Sequence, residues 1–157
     1  MFTDQKIEKS LWKIEPIPQK IKELKNPILI NRYIKMHPHE FFKDYDYAIY
    51  FDANIQIVSN ITKFINQMDL EYGLSFHKHR YRDCIYEEIK CCHLLKKGNY
   101  KNLENQKDKY QKNSFPNHFG ILECGNFVVD LKNSKAKEIL DEWWIEFYKS
   151  ASLRDQI

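Results

Sequence analysis

The run from Tyr47 to Asn54 constrains this chain most. Ala48, Ile49, Tyr50 and Phe51 form an unbroken apolar block rich in strand formers, which predicts a strand covered on both faces and ending at Asp52-Ala53-Asn54. Ligands gather at the carboxyl ends of such strands. Asp52 and Asn54, two apart in a DxD-like arrangement, can aim both oxygens at one hard cation, Mg2+ or Mn2+ rather than Zn2+. The same pair also reads as a turn former or helix cap.

The surrounding elements alternate between the two kinds of period. Asn26-Pro27 reads as an N-cap followed by a proline at the first helical position, opening a helix that runs to about Met36 and stops before Pro38. Arg32 and Lys35 share a face of that helix, either as a solvated stripe or as an anion contact. An early strand at Phe2-Thr3-Asp4 and an extended piece at 12–17 precede it. A helix at 60–68, a strand at 72–76 and an amphipathic helix at 84–97 capped by Gly98 follow the Tyr47 strand. Residues 101–112 are strongly charged and read as a solvated helix or a loop. Two strands, 120–124 and 126–131, join near Gly125, and a closing helix covers 135–148. Helices between strands predict a single α/β domain over 1–157 with a mixed sheet.

The chain is 43% hydrophobic and 15% aromatic, enough for one core in 157 residues. A net charge of +3, from 25 basic and 22 acidic residues, falls short of a nucleic-acid-binding signature. There is no Gly-rich phosphate loop and no apolar run long enough to cross a bilayer, so a cytoplasmic location is expected. Cys84, Cys91, Cys92 and Cys124 contain no Cys-x-x-Cys pair and read as reduced thiols. His77 and His79 lie two apart and His37 and His39 bracket a proline, but neither pair finds a third ligand at a known zinc spacing.

Four blocks carry a family likeness: Arg32-x-x-Lys35 through Pro38-His39 to Phe42-x-Asp44-Tyr45-Asp46 and Asp52-x-Asn54; His79 through Arg82-Asp83-Cys84 to Glu88; Phe115-Pro116 with Gly120-Ile121-Leu122-Glu123; and Trp143-Trp144-Ile145-Glu146 with Ser152-Leu153-Arg154-Asp155-Gln156. In this order they resemble the glycosyltransferase-like family of GT-A type. That family includes bacterial glycosyltransferase-domain proteins and plant Golgi proteins tied to turgor and seed mucilage. The chain departs from the family at Leu29 and Asp130, where an Arg is common. Relative to GT-A enzymes it looks shortened at the N-terminus, without the first nucleotide-binding strand.

The resemblance implies a metal-dependent transfer of a sugar from a nucleotide-sugar donor to a glycan or other hydroxyl acceptor. Asp52 and Asn54 would then hold Mn2+ or Mg2+, and Arg32 and Lys35 would face the diphosphate. It further implies donor contacts from His39, His79, Arg82, Glu88, Arg154 and Gln156. Asp155 would take or position the acceptor proton, with Asp83 as the next candidate base. Arg82, Asp83 and Glu88 equally read as a helix cap and an ion pair. Two other functions stay open: a non-catalytic sugar or nucleotide binder, and a metal-dependent hydrolase built on the same Asp52 centre.

Overall fold

The computed structural model describes the whole chain, residues 1–157. The first half runs β1 (Phe2–Thr3), β2 (Glu15–Pro16), α1 (Gln19–Lys22), α2 (Pro27–Met36), α3 (Pro38–Phe41), β3 (Tyr47–Phe51) and α4 (Thr62–Asn66). The second half runs β4 (Leu74–Lys78), α5 (Ile85–Leu94), α6 (Tyr100–Lys112), β5 (Leu122–Asp130) and α7 (Ser134–Ser150). The class is α/β, as expected, but the strands do not join into one mixed sheet. β1 and β2 form a small parallel pair, and β3, β5 and β4 form a separate antiparallel sheet in that order.

β5 is the central strand, and its residues Phe127, Val128 and Val129 are at most 2% exposed. The pairing explains the core. Phe127 and Val129 point to one face because side chains alternate along a strand, and Tyr50 and Phe76 lie opposite Phe127 while Ala48 and Leu74 lie opposite Val129. Tyr50, Phe127 and Phe76 thus stack in a row across the sheet, with centroids 5.3 and 4.9 Å apart. Trp143 of α7 meets Phe76 and Phe127 edge-on, and Ala136 and Leu140 complete the cluster. Each large side chain buried there contributes about 1.5–3 kcal/mol. A second cluster of Ile89, Cys92 and Leu103 joins α5 to α6.

Several expectations are corrected by this arrangement. β3 is an edge strand, exposed at Tyr47 and only half-buried from Ala48 to Phe51, rather than a strand covered on both faces. The two strands expected around Gly125 are one, because β5 bulges instead of breaking. Between Phe76 and His77 the partner on β5 jumps from Phe127 to Glu123, leaving Cys124 to Asn126 as extra residues. The helix expected to reach Gly98 ends at Leu94, and Lys96 takes the left-handed turn at φ 52°. The charged 101–112 segment is a helix, capped by Asn99 and anchored by buried Leu103 and Gln106. No helix is long and apolar enough to cross a membrane.

Candidate functional site

A cleft of about 800 Å3 opens where β3 ends, beside the N-terminus of α2. Local sequence builds its walls. The Asn26 Oδ1 accepts from the backbone N–H of Ile28 and Leu29, and Pro27 fits the first turn, so α2 starts at a fixed place with Asn31 and Arg32 toward the cleft. The Asp52 N–H donates to Gly125 O at 2.8 Å, fastening the strand end to the β5 bulge. Asp52 Oδ1 accepts from the Tyr50 hydroxyl at 2.7 Å. Burial, reinforced by that carboxylate, pushes the Tyr50 phenol up, so it remains a donor. Asp52 Oδ2 faces Gly125, where a Cβ would come within 3.4 Å of it.

The opposite wall is the segment after α7. Ala151 and Leu153 both have positive φ, and the fully buried Ser152 receives the Asn99 N–H on its carbonyl at 3.1 Å. Gly98 permits this approach, since at its φ of +80° a Cβ would stand 2.6 Å from Ser152 O and 2.8 Å from Arg154 Cγ. Arg154 therefore lines the cleft with Arg32, Asp52 and Asn54. Four side chains expected to meet the donor or its metal, Arg32, Asp52, Asn54 and Arg154, thus converge from three distant parts of the chain.

Beneath the cleft lies a buried ion cluster. Lys35 Nζ stands 2.6 Å and Arg32 Nε 2.9 Å from the same Asp155 Oδ2. Lys35 is 2% exposed and lies over the Tyr50 and Trp143 rings at 4.7 and 5.5 Å. The Trp143 N–H donates to Asp155 O at 2.7 Å. Burial alone would raise the Asp155 pKa, but Lys35 and Arg32 outweigh it and hold the carboxyl below its ordinary value. Nearby Cys124 is pushed up to about 12, first by burial and then by Asp155. Arg32 and Lys35 do share a face of α2, since both meet Asp155 Oδ2, but the face is not a solvated stripe: Arg32 also lines the cleft, whereas Lys35 is buried beneath it.

Against this geometry, a family model described as TOD1/MUCI70, glycosyltransferase-like domain, matches residues 2–123. The chain belongs to this family. The matched span carries Arg32, Asp52 and Asn54 and ends inside β5, so the Trp143-Trp144 and Arg154-Asp155-Gln156 blocks lie beyond it. Comparison with curated proteins and with solved structures finds no match.

The other residues singled out from the TOD1/MUCI70 likeness lie outside the cleft lining. Arg82 pairs through Nε with the buried Glu88 and contacts His79 Nε2 at 3.2 Å through a terminal nitrogen. His79 Nδ1 accepts from the Arg82 N–H at 3.0 Å, shaping the turn before α5. This is the cap-and-ion-pair arrangement. Asp83 Oδ1 and His118 Nδ1 form a surface pair at 2.7 Å, in which His118 holds the Asp83 carboxyl below its ordinary value and is itself raised. Gln156 donates to Leu122 O at 3.2 Å, and His39 lies at the α2–α3 elbow facing α7. Trp143 is in the core, while Trp144 packs on Tyr33 and His37. Tyr50 and Gly98 were the contributors that sequence reasoning missed. Only the lone Gly98 between charged stretches gave any signal.

Proposed function

We propose that this domain binds a nucleotide-sugar donor in the cleft between α2, the end of β3 and the 151–155 segment, and transfers the sugar to a hydroxyl acceptor. Membership in a glycosyltransferase-like family supplies the reaction class. The observation that carries the placement is the meeting of Arg32 and Arg154 with Asp52 and Asn54 in one cleft. A leaving nucleoside diphosphate gathers negative charge as the glycosidic bond breaks, and two guanidiniums at the cleft, Arg32 held by Asp155 and Arg154 with its Nε unpartnered, would stabilise that charge.

The residues at Asp52 fit a hard divalent ion. Asp52 Oδ2 is left uncovered by the missing side chain of Gly125, and Asn54 offers an exposed amide oxygen in the same cleft. No third carboxylate, His or Cys closes the set, which suits Mn2+ or Mg2+ completed by water and phosphate oxygens. Such an ion, when bound, supplies further charge neutralisation on the diphosphate.

Within this reading Asp155 is a positioning residue rather than the proton acceptor implied by the family motif. Its carboxylate is 7% exposed, bound by Lys35 and Arg32, and made a weaker base by both. It holds Arg32 at the cleft wall. Asp83 is likewise given no proton-transfer role, because it lies on the surface with His118.

Thermal unfolding with Mn2+ and a series of nucleoside diphosphates tests the proposal. A rise in Tm with both ligands present, lost in Asp52→Ala and in Arg154→Gln, supports it. Release of nucleoside diphosphate from a nucleotide sugar then establishes turnover. An undiminished rise in both variants would refute the placement, and binding without any release would leave a nucleotide-sugar binder.

A further inference from the structure

Residues 93–101, which join α5 to the first turn of α6, are exposed without a break. Among them Leu94 and Leu95 are 79% and 58% exposed, and Tyr100 is half-exposed. The His93 and Tyr100 rings lie 4.0 Å apart, which brings the end of α5 against the start of α6. Single exposed leucines are ordinary, but two adjacent ones with an aromatic at one corner form an apolar knuckle. Local geometry fixes it in place. Ile89 and Cys92 join Leu103 in the second core cluster, and at about 100° per residue Leu94 lies about 200° round from Cys92, on the outer face of α5. Lys96 and Gly98, both at positive φ, close the turn. The Lys97 N–H donates to Cys92 O at 2.8 Å and the Asn99 N–H to Ser152 O at 3.1 Å, so the corner is held at both ends with its leucines outward.

The charge around this knuckle has one sign. Between Ile89 and Leu103 stand Lys90, Lys96, Lys97 and Lys101 and no acid, a local charge of +4 in a chain whose net charge is +3. The acids at either end, Glu88 and Glu104, are taken up by Arg82 and Lys107. Exposed Glu87 and Asp108 lie toward the far ends of α5 and α6. Cations suit the C-terminus of α5, but Lys101 lies in the first turn of α6, which has no acid, against the positive end of that helix. Helix stability therefore does not account for it. Leucines ringed by lysines match an anionic lipid surface on both counts, the apolar side chains entering the headgroup–acyl boundary and the ammonium groups meeting the headgroups. A nucleic acid would leave the leucines in water, and a second copy would set lysine against lysine.

We propose that the α5–α6 corner docks this domain on an anionic membrane surface, with Leu94 and Leu95 inserted between lipid headgroups and Lys90, Lys96, Lys97 and Lys101 against them. Lys97 and Gly98 also wall the cleft at the end of β3, so docking holds that side of the cleft at the lipid surface. The docking stands on this corner alone and is independent of the transferase reading. Under that reading, it assigns the hydroxyl acceptor to a membrane-borne molecule.

The test is cosedimentation of the full chain with vesicles of phosphatidylcholine containing roughly a third phosphatidylserine, and with vesicles of phosphatidylcholine alone. Binding is expected to the anionic vesicles, weaker without phosphatidylserine and weaker at high salt. The double variant Leu94→Glu, Leu95→Glu should lose at least tenfold in partition. Each lysine near anionic lipid is worth about fivefold, so Lys96→Gln, Lys97→Gln should lose at least tenfold as well. Lys20→Gln, Lys63→Gln removes the same charge from exposed positions on α1 and α4 and should bind like the parent. Circular dichroism establishes that the variants fold, and the lysine pair serves where the leucine pair does not. No binding to anionic vesicles, undiminished binding in the leucine or the lysine pair, or an equal loss in the Lys20, Lys63 control would overturn the assignment. So would a dimer in sedimentation velocity that the leucine pair abolishes while vesicle binding persists.

Discussion

Replacing Asp155 by Asn probes the ion cluster and the cleft together. Lys35 is 1% exposed at its side chain and has Asp155 as its only carboxylate partner, whereas Arg32, 20% exposed, can turn to water. Removing one member of a buried ion pair costs about 3–5 kcal/mol, because the remaining charge is left uncompensated. Asn keeps the shape and one acceptor oxygen, and Arg32 can be resolvated, so the lower end, about 3 kcal/mol, is expected. For a chain of this size that lowers Tm by about 6–12 °C. Urea unfolding followed by circular dichroism measures it.

The double variant Lys35→Met, Asp155→Asn sharpens the test. Met fits the slot between the Tyr50 and Trp143 rings, and a buried pair replaced by apolar groups is often near neutral, so stability should return to within about 1 kcal/mol of the parent. The pH dependence has a defined sign. Because the folded-state pKa of Asp155 is depressed, its contribution is present above the ordinary value of 3.8 and is lost as pH falls through the folded value. Asp155→Asn should therefore flatten the acid limb of the stability profile. Donor affinity also discriminates: a positioning role predicts weaker nucleoside diphosphate binding as Arg32 loses its anchor, while a proton acceptor would lower turnover about a hundredfold with affinity intact. A single variant within 1 kcal/mol of the parent, or a double variant as unstable as the single, would refute the reasoning.

Gly98→Ala should destabilise by about 2 kcal/mol and weaken nucleoside diphosphate binding, since the left-handed backbone and the close Ser152 carbonyl both oppose a Cβ and Arg154 is displaced; urea melts and calorimetry check the two effects. Asn26→Ala should cost about 1 kcal/mol by removing the cap of α2, measured in the same melts. His118 should titrate above its ordinary 6.5 by NMR and fall back toward it in Asp83→Asn; equal titration in both proteins would deny the surface pair.

Legibility from sequence followed the range of the interactions. α2 was readable to its ends because Asn26, Pro27 and Pro38 act within a turn of the positions they terminate. The closing helix expected at 135–148 runs from Ser134 to Ser150, so the expectation was short by only a few residues. The strands fared worse, since an apolar block such as Ala48-Ile49-Tyr50-Phe51 looks the same at the edge of a sheet as at its centre. What decides between them is the partner, and β5 lies far along the chain. Gly125 read as a break for the same reason: a residue that permits a turn also permits a bulge, and only pairing with β4 separates the two.

The candidate site shows the same division more sharply. Asp52 and Asn54 could be marked because two oxygens two residues apart at a strand end are a local pattern, and they do lie in one cleft. Arg32 and Lys35 look equivalent along the helix, yet one lines the cleft and the other is buried, because Asp155 comes to rest beneath them from 120 residues away. A charge read as facing solvent or substrate acquires its role from what folds over it. The 151–155 segment provides that cover only because Gly98 lets Ser152 approach and Trp143 holds the Asp155 carbonyl. The cleft is thus completed by the 151–155 segment, which makes Arg32 orientation, and with it the proposed diphosphate affinity, dependent on the docking of that segment.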